Sequence, residues 1–167
     1  MAPAPLIDTE YLLDLTERGR EVDWGRIDVG AYLADCLARS RTPNGIAGFK
    51  VMWREVAVLC RRCDLCAAQF ATLVPADTRY VLLTRDDELG QAISFAKANH
   101  SQCWNADEQA AFRGRYVFDH RAIDAAARVL AEQRAGWSGF FATTGIEPLR
   151  VRFESLLADP DATVDAI

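Results

Sequence analysis

Lysine is almost missing from these 167 residues: Lys50 and Lys97 are the only two, and arginine supplies the rest of the nineteen basic groups. Acidic residues number 24, so the formal net charge is −5 and the isoelectric point is about 5.0. A chain this acidic lacks the basic footprint that phosphate backbones demand, and nucleic acid is excluded as an expected partner. Arginine in place of lysine suits two-pronged binding of anions, although a GC-rich coding sequence produces the same bias. Also lacking is any apolar run near the roughly 20 residues that span a bilayer, so no transmembrane segment is expected. The N-terminus, Met1-Ala-Pro-Ala-Pro-Leu-Ile-Asp8, has neither a basic patch nor a long apolar stretch. It makes a poor export signal, and a cytoplasmic protein is expected. The five cysteines are an odd number in such a chain, which argues against a disulfide framework.

What is present is half apolar and a quarter charged, the composition of one soluble globular domain spanning 1–167. Val29 to Ala38 reads as a helix with Tyr32, Leu33 and Leu37 on one face. Thr42-Pro-Asn-Gly45 is a turn, and Ile46 to Met52 after it reads as a short buried strand. Trp53 to Gln69 looks helical, with Val56, Leu59, Cys60 and Cys63 on one side. After a turn at Pro75 to Thr78, Arg79-Tyr-Val-Leu-Leu-Thr84 is apolar through its middle, as a strand buried on both faces would be. Asp86-Asp-Glu88 places negative charge in the first turn of the next helix, where the backbone dipole favours it. A further helix has Ile123, Ala127, Leu130, Trp137 and Phe141 in one stripe and ends at Gly145. Leu149 to Phe153 is a third strand, partly exposed, and Glu154 begins a last helix. Strands separated by helices imply an α/β fold with a small parallel sheet covered on both sides, a three-layer sandwich.

Four stretches together carry a family resemblance. They are Thr42-Pro-Asn-Gly-Ile-Ala-Gly-Phe-Lys-Val-Met-Trp53, Leu83-Thr-Arg-Asp-Asp-Glu-Leu-Gly-Gln-Ala-Ile-Ser94, Gly136-Trp137 with Phe140-Phe141, and Gly145-Ile-Glu-Pro-Leu-Arg150. In this order and spacing they resemble the bacterial PAPS-dependent sulfotransferases typified by trehalose sulfotransferase. The resemblance implies a P-loop-type sulfotransferase fold. It also implies transfer of a sulfuryl group from 3′-phosphoadenosine 5′-phosphosulfate (PAPS) to a hydroxyl of a carbohydrate or glycolipid, with no metal. Relatives can form dimers by exchanging elements, so a homodimer is a further expectation.

The resemblance assigns roles to particular side chains, each of which also has a plainer reading. Arg85, at the junction after the second strand, matches the contact to the donor's 3′-phosphate, with a guanidinium fork suited to phosphate. Ser94 would add a hydroxyl. On one continuous helix the two would lie about 13 Å apart along the axis, so convergence requires residues 85–88 in a loop or Arg85 folded back. Otherwise Arg85 is a surface arginine beside a capped helix. Asp86, Asp87 and Glu88 support that plainer reading, because three carboxylates repel a phosphate unless they point away. Glu10, in Asp8-Thr-Glu-Tyr-Leu12, matches a glutamate in the position of general base on the acceptor hydroxyl, or is a solvated carboxylate. Lys50 matches a lysine that steadies charge on the transferring group, or snorkels to solvent. Trp53, Trp104 and Trp137 match family aromatics. Trp137 belongs to the core by its stripe, while Trp104 is placed to line an acceptor sugar pocket.

Two features depart from the family pattern. The family opens with a strand and a Ser/Thr/Gly-rich loop that cradles the 5′-phosphosulfate. No G-x-x-x-x-G-K-[ST] occurs here, and Asn44-Gly-Ile-Ala-Gly48 leads toward a strand where the motif needs a helix. A domain incomplete at both ends and impaired in turnover is therefore the expectation, with a non-catalytic binding or oligomerisation module as the alternative. The second departure is Cys60-Arg-Arg-Cys63-Asp-Leu-Cys66. Three cysteines on one helix fan too widely to converge on a metal unless the helix unwinds between them, and half-buried thiols are expected instead.

Overall fold

A computed structural model describes residues 28–167. It divides into two compact units, one drawn from residues up to Thr78 together with Ala142–Thr144, the other Arg79–Phe141 with Gly145–Ile167.

In the first unit, helix α1 (Val29–Ser40) starts where the Asp28 carboxylate accepts the N–H of Ala31 at 2.9 Å. That bond satisfies one donor left over by the first turn. The expected turn follows, with the Gly45 N–H on the Thr42 carbonyl at 2.8 Å and Gly45 at φ +83°, a backbone setting that favours glycine. Helix α2 (Trp53–Arg62) is locked at its start by Glu55, whose carboxylate accepts the Met52 N–H at 2.7 Å. Helix α3 (Ala67–Leu73) packs against α1. Among the described residues of this unit, Val29, Val56, Leu59 and Phe70 are buried.

Two expectations fail here. Ile46 to Met52 is not a strand, and Ile46, Phe49, Val51 and Met52 are all exposed. Apolar composition favours a strand only where a neighbouring strand takes up its backbone groups. The helix read through Gln69 breaks at Cys63. Asp64 adopts φ +53° and the Leu65 N–H returns to the Cys60 carbonyl at 2.8 Å, closing the end of α2 before α3 begins.

The second unit holds strand β1 (Val81–Thr84), α4 (Glu88–Ser101), α5 (Ala106–Ala111), α6 (His120–Thr144), β2 (Leu149–Arg152), α7 (Phe153–Ala158) and α8 (Pro160–Asp165). The last three residues of α6 belong to the first unit. β1 and β2 pair in parallel with Val81 opposite Leu149 and Thr84 opposite Arg152. This is a mixed α/β arrangement in which the sheet is two strands wide among the described residues. Parallel strands are normally covered on both faces, yet Val81, Leu83 and Leu149 are exposed, so β1 is not buried on both sides as its composition suggested.

The core lies where α4 meets α6: Ala92, Ala126 and Leu130 are buried, with Phe95, Ala96 and Ile123 against them. The small Ala92 and Ala126 leave room for Leu130 at the contact. The α6 stripe holds at Ile123, Leu130, Trp137 and Phe141 and misses only at Ala127, which is exposed while its neighbour Ala126 is buried. Toward the end of α6, Trp137, Phe140 and Phe141 cluster with Tyr80, ring centroids 5.4–6.0 Å apart. Burial in this cluster pushes the Tyr80 phenol up from its ordinary pKa. Gly145 closes α6 at φ +69°, its N–H on the Phe141 carbonyl at 3.0 Å. No described helix is long and apolar enough to cross a membrane.

Candidate functional site

The junction between β1 and α4 brings the most chemistry together. Residues 85–87 form an irregular segment and α4 begins at Glu88, so Arg85 precedes the helix, while residue 88, expected in the loop, is already helical. Asp87 caps α4, one carboxylate oxygen accepting the Gly90 N–H at 2.8 Å. Its other oxygen faces the Arg85 guanidinium at 3.2 Å. The Gly90 N–H first, and then Arg85, hold the Asp87 carboxyl below the usual carboxylate range.

The register of β2 on β1 carries Arg152, Phe153 and Glu154 alongside this loop. Arg152 pairs with Asp86 at 3.4 Å, and the Arg85 guanidinium carbon lies 5.0 Å from the centre of the Phe153 ring. Glu154 accepts the backbone N–H groups of Asp86 and Asp87 on one oxygen, at 3.1 and 3.4 Å. Its carboxyl is held below the usual range by its own N–H first, then by those two N–H groups and the charge on Arg85. Each acid of the Asp86-Asp87-Glu88 run thus has an arginine: Arg152 on Asp86, Arg85 on Asp87, and Arg134 on Glu88 at 3.0 Å. The repulsion that three bare carboxylates would exert on a phosphate is reduced accordingly.

The remaining candidates sit elsewhere. Ser94 is on α4 with an exposed side chain, about 9 Å along the axis from Glu88. Trp104 lies just past the end of α4, where Gln102 adopts φ +56°. It is 57% exposed and packs against Phe95 with ring centroids 6.1 Å apart, so much of its face is open to a ligand. Lys50 is exposed in the first unit and is not in a strand, so neither burial nor sheet pairing fixes its ammonium. Glu10 lies outside the described residues.

Cys60 is in the last turn of α2, Cys63 ends that helix and Cys66 begins α3, so the helix does unwind between the first and last thiol. All three are unbridged. Burial, and to a lesser degree Cys66 and Cys63, push the Cys60 thiol up, and burial does the same to Cys63. Such thiols are poor nucleophiles. Among the described residues no group of three or more His, Cys, Asp or Glu gathers to hold a metal.

Arg152, Phe153 and Glu154 were not singled out from the sequence. The usable signal was their place at the end of, and directly after, a strand that pairs in parallel with the one preceding Arg85.

The chain is 28% identical over 183 residues to the trehalose 2-sulfotransferase of Mycobacterium tuberculosis, covering 100% of this chain and 67% of that protein. It is 28% identical over 124 residues to the trehalose 2-sulfotransferase of Mycolicibacterium smegmatis, covering 70% of this chain and 46% of that protein. The chain therefore spans about two thirds of the length of the first relative, and the match to the second covers less than half of it. The sequence model of the Stf0 sulphotransferases matches residues 13–167, which include every described element, and the chain belongs to that family.

Proposed function

We propose that this chain carries the 3′-phosphate half of a PAPS site and that its reaction is sulfuryl transfer to a carbohydrate hydroxyl. The observation that carries the reading is Arg85, in a loop directly before α4, in a chain matched to the Stf0 family from residue 13 to residue 167. In the proposed reaction the acceptor oxygen forms a bond to sulfur while the bond from sulfur to the bridging phosphate oxygen breaks. Adenosine 3′,5′-bisphosphate leaves with that electron pair, and the acceptor proton passes to a carboxylate, for which Glu10 is the proposed base. Lys50 is proposed to steady the charge on the transferring group, Ser94 to join Arg85 on the 3′-phosphate, and Trp104 to stack on the acceptor sugar. The relatives' names make a trehalose-type disaccharide the first acceptor to try.

A sulfotransferase domain of the P-loop type is proposed, in keeping with the α/β elements and the family match. The 167 residues contain no G-x-x-x-x-G-K-[ST] run. Losing one oxyanion donor can cost on the order of a hundredfold, so turnover by these residues alone is proposed to be weak even where the bisphosphate binds.

Calorimetry with adenosine 3′,5′-bisphosphate tests the reading. Saturable binding that disappears in Arg85→Ala is expected. Absence of binding by the unaltered chain, or equal binding by Arg85→Ala, would overturn it and leave the non-catalytic module as the better account.

A further inference from the structure

Three consecutive residues, Arg152, Phe153 and Glu154, grip three consecutive residues of the loop that carries Arg85. Two of these contacts have plain local uses: Arg152 neutralises Asp86, and Phe153 lies against the Arg85 guanidinium. Glu154 is the unexpected member, because a carboxylate beside a phosphate site opposes the ligand by charge. Its geometry gives it another use. One oxygen takes both backbone N–H groups of the loop, while the second is buried with no hydrogen-bond partner, as is Nε of Arg85. Unpartnered buried polar atoms on both side chains are costly, and here they accompany a loop whose backbone is tied down from outside.

Resting on the donor-site reading above, we propose that Glu154 is the positioning residue of this site. It fixes residues 85–87 so that the Arg85 guanidinium is held against Phe153, leaving the exposed remainder of that side chain for the 3′-phosphate. A consequence for recognition follows. The N–H groups of Asp86 and Asp87 are taken by Glu154, and that of Gly90 by Asp87. The phosphate is therefore read by the arginine side chain, with the amides of Asp86, Asp87 and Gly90 already occupied.

The test is bisphosphate affinity, by calorimetry on the full chain, of Glu154→Ala and Glu154→Gln, each made with Arg85 and with Arg85→Lys. Glu154→Ala is expected to weaken binding by about tenfold, the scale of hydrogen bonds to a charged group. Glu154→Gln keeps an acceptor oxygen and is expected to recover most of that loss. With Arg85→Lys, removing Glu154 is expected to cost little further, because its effect passes through the guanidinium. Amide exchange at residues 86 and 87 is expected to accelerate in the Ala variant and not in the Gln variant. If Glu154→Ala does not fold, Glu154→Asp, whose shorter stem withdraws the oxygen, replaces it. An unaltered chain that fails to bind the bisphosphate removes the donor-site reading and the positioning role together. Binding by the unaltered chain that survives Glu154→Ala undiminished, or a loss equal in both Arg85 backgrounds, removes the positioning role alone.

Discussion

A Cβ built on Gly90 would stand 2.6 Å from the carboxyl carbon of Asp87, so the Asp87 side chain occupies space that only glycine leaves open. The same carboxylate caps α4 through the Gly90 N–H and faces Arg85 with its other oxygen. Glycine at this position is therefore tied to the Arg85–Asp87 pair as well as to the helix start.

Two substitutions separate those roles. Asp87→Asn keeps an acceptor for the Gly90 N–H, because asparagine caps helices as well as aspartate does, and removes the charge that competes with a phosphate for Arg85. Melting temperature at neutral pH is expected to fall slightly, by the charge-dependent part of the cap that Asn does not supply, and bisphosphate affinity to rise several-fold in calorimetry. Gly90→Ala gains up to about 1 kcal/mol of helix propensity but pushes the capping carboxylate aside. Its net change in melting temperature is expected to be small while amide exchange at residue 90 accelerates.

Acid is expected to loosen this junction. Asp87 and Glu154 both have carboxyls held below their ordinary values in the folded chain. The folded state binds their protons more weakly than the unfolded state does, so their contribution is present above the unfolded carboxylate range and is lost as pH falls through the folded values. The decline should set in below about pH 4, be blunted by salt at Asp87, whose side chain is exposed, and flatten in the Asp87→Asn, Glu154→Gln double variant. Scanning calorimetry across pH 2–6 (roughly the range in which carboxyls titrate) reads this directly.

Phe140 is 1% exposed, at the centre of the aromatic cluster. Phe140→Ala is expected to destabilise the chain by about 3–5 kcal/mol, by lost transfer energy and the cavity left behind. Gly145→Ala, at φ +69°, is expected to cost about 1–2 kcal/mol, because a Cβ is disfavoured in the left-handed region. Urea unfolding gives both numbers.

Trp104→Ala is expected to leave bisphosphate affinity unchanged and to raise the KM for a disaccharide acceptor by roughly tenfold, on the scale of lost stacking contacts. An equal loss of donor affinity would place Trp104 with the donor.

Local pattern revealed much of the fold and little of the grip on Arg85. The long period of α6 and its glycine stop were legible because helix and cap are written in neighbouring residues. Its stripe was read correctly except at Ala127, because Ala126 and Ala127 are indistinguishable by type. Ile46 to Met52 misled because apolar content cannot report whether a partner strand is present. The place of Arg85 at a strand-to-helix junction was legible from the strand before it, while its proposed contact came only from the family resemblance. Glu154 was not, because its role depends on Val81 standing opposite Leu149, a pairing between residues far apart that leaves no local trace.

Asp86 and its acceptor Glu154 are separated by 68 positions, and closing so long a span carries an entropic cost that short-range helices do not bear. During synthesis Arg85 leaves the ribosome well before the segment that secures it has been made. A nascent polypeptide therefore passes through an interval in which α4 can form while its preceding arginine has no seat, and proteases meeting it then would find residues 85–87 unguarded.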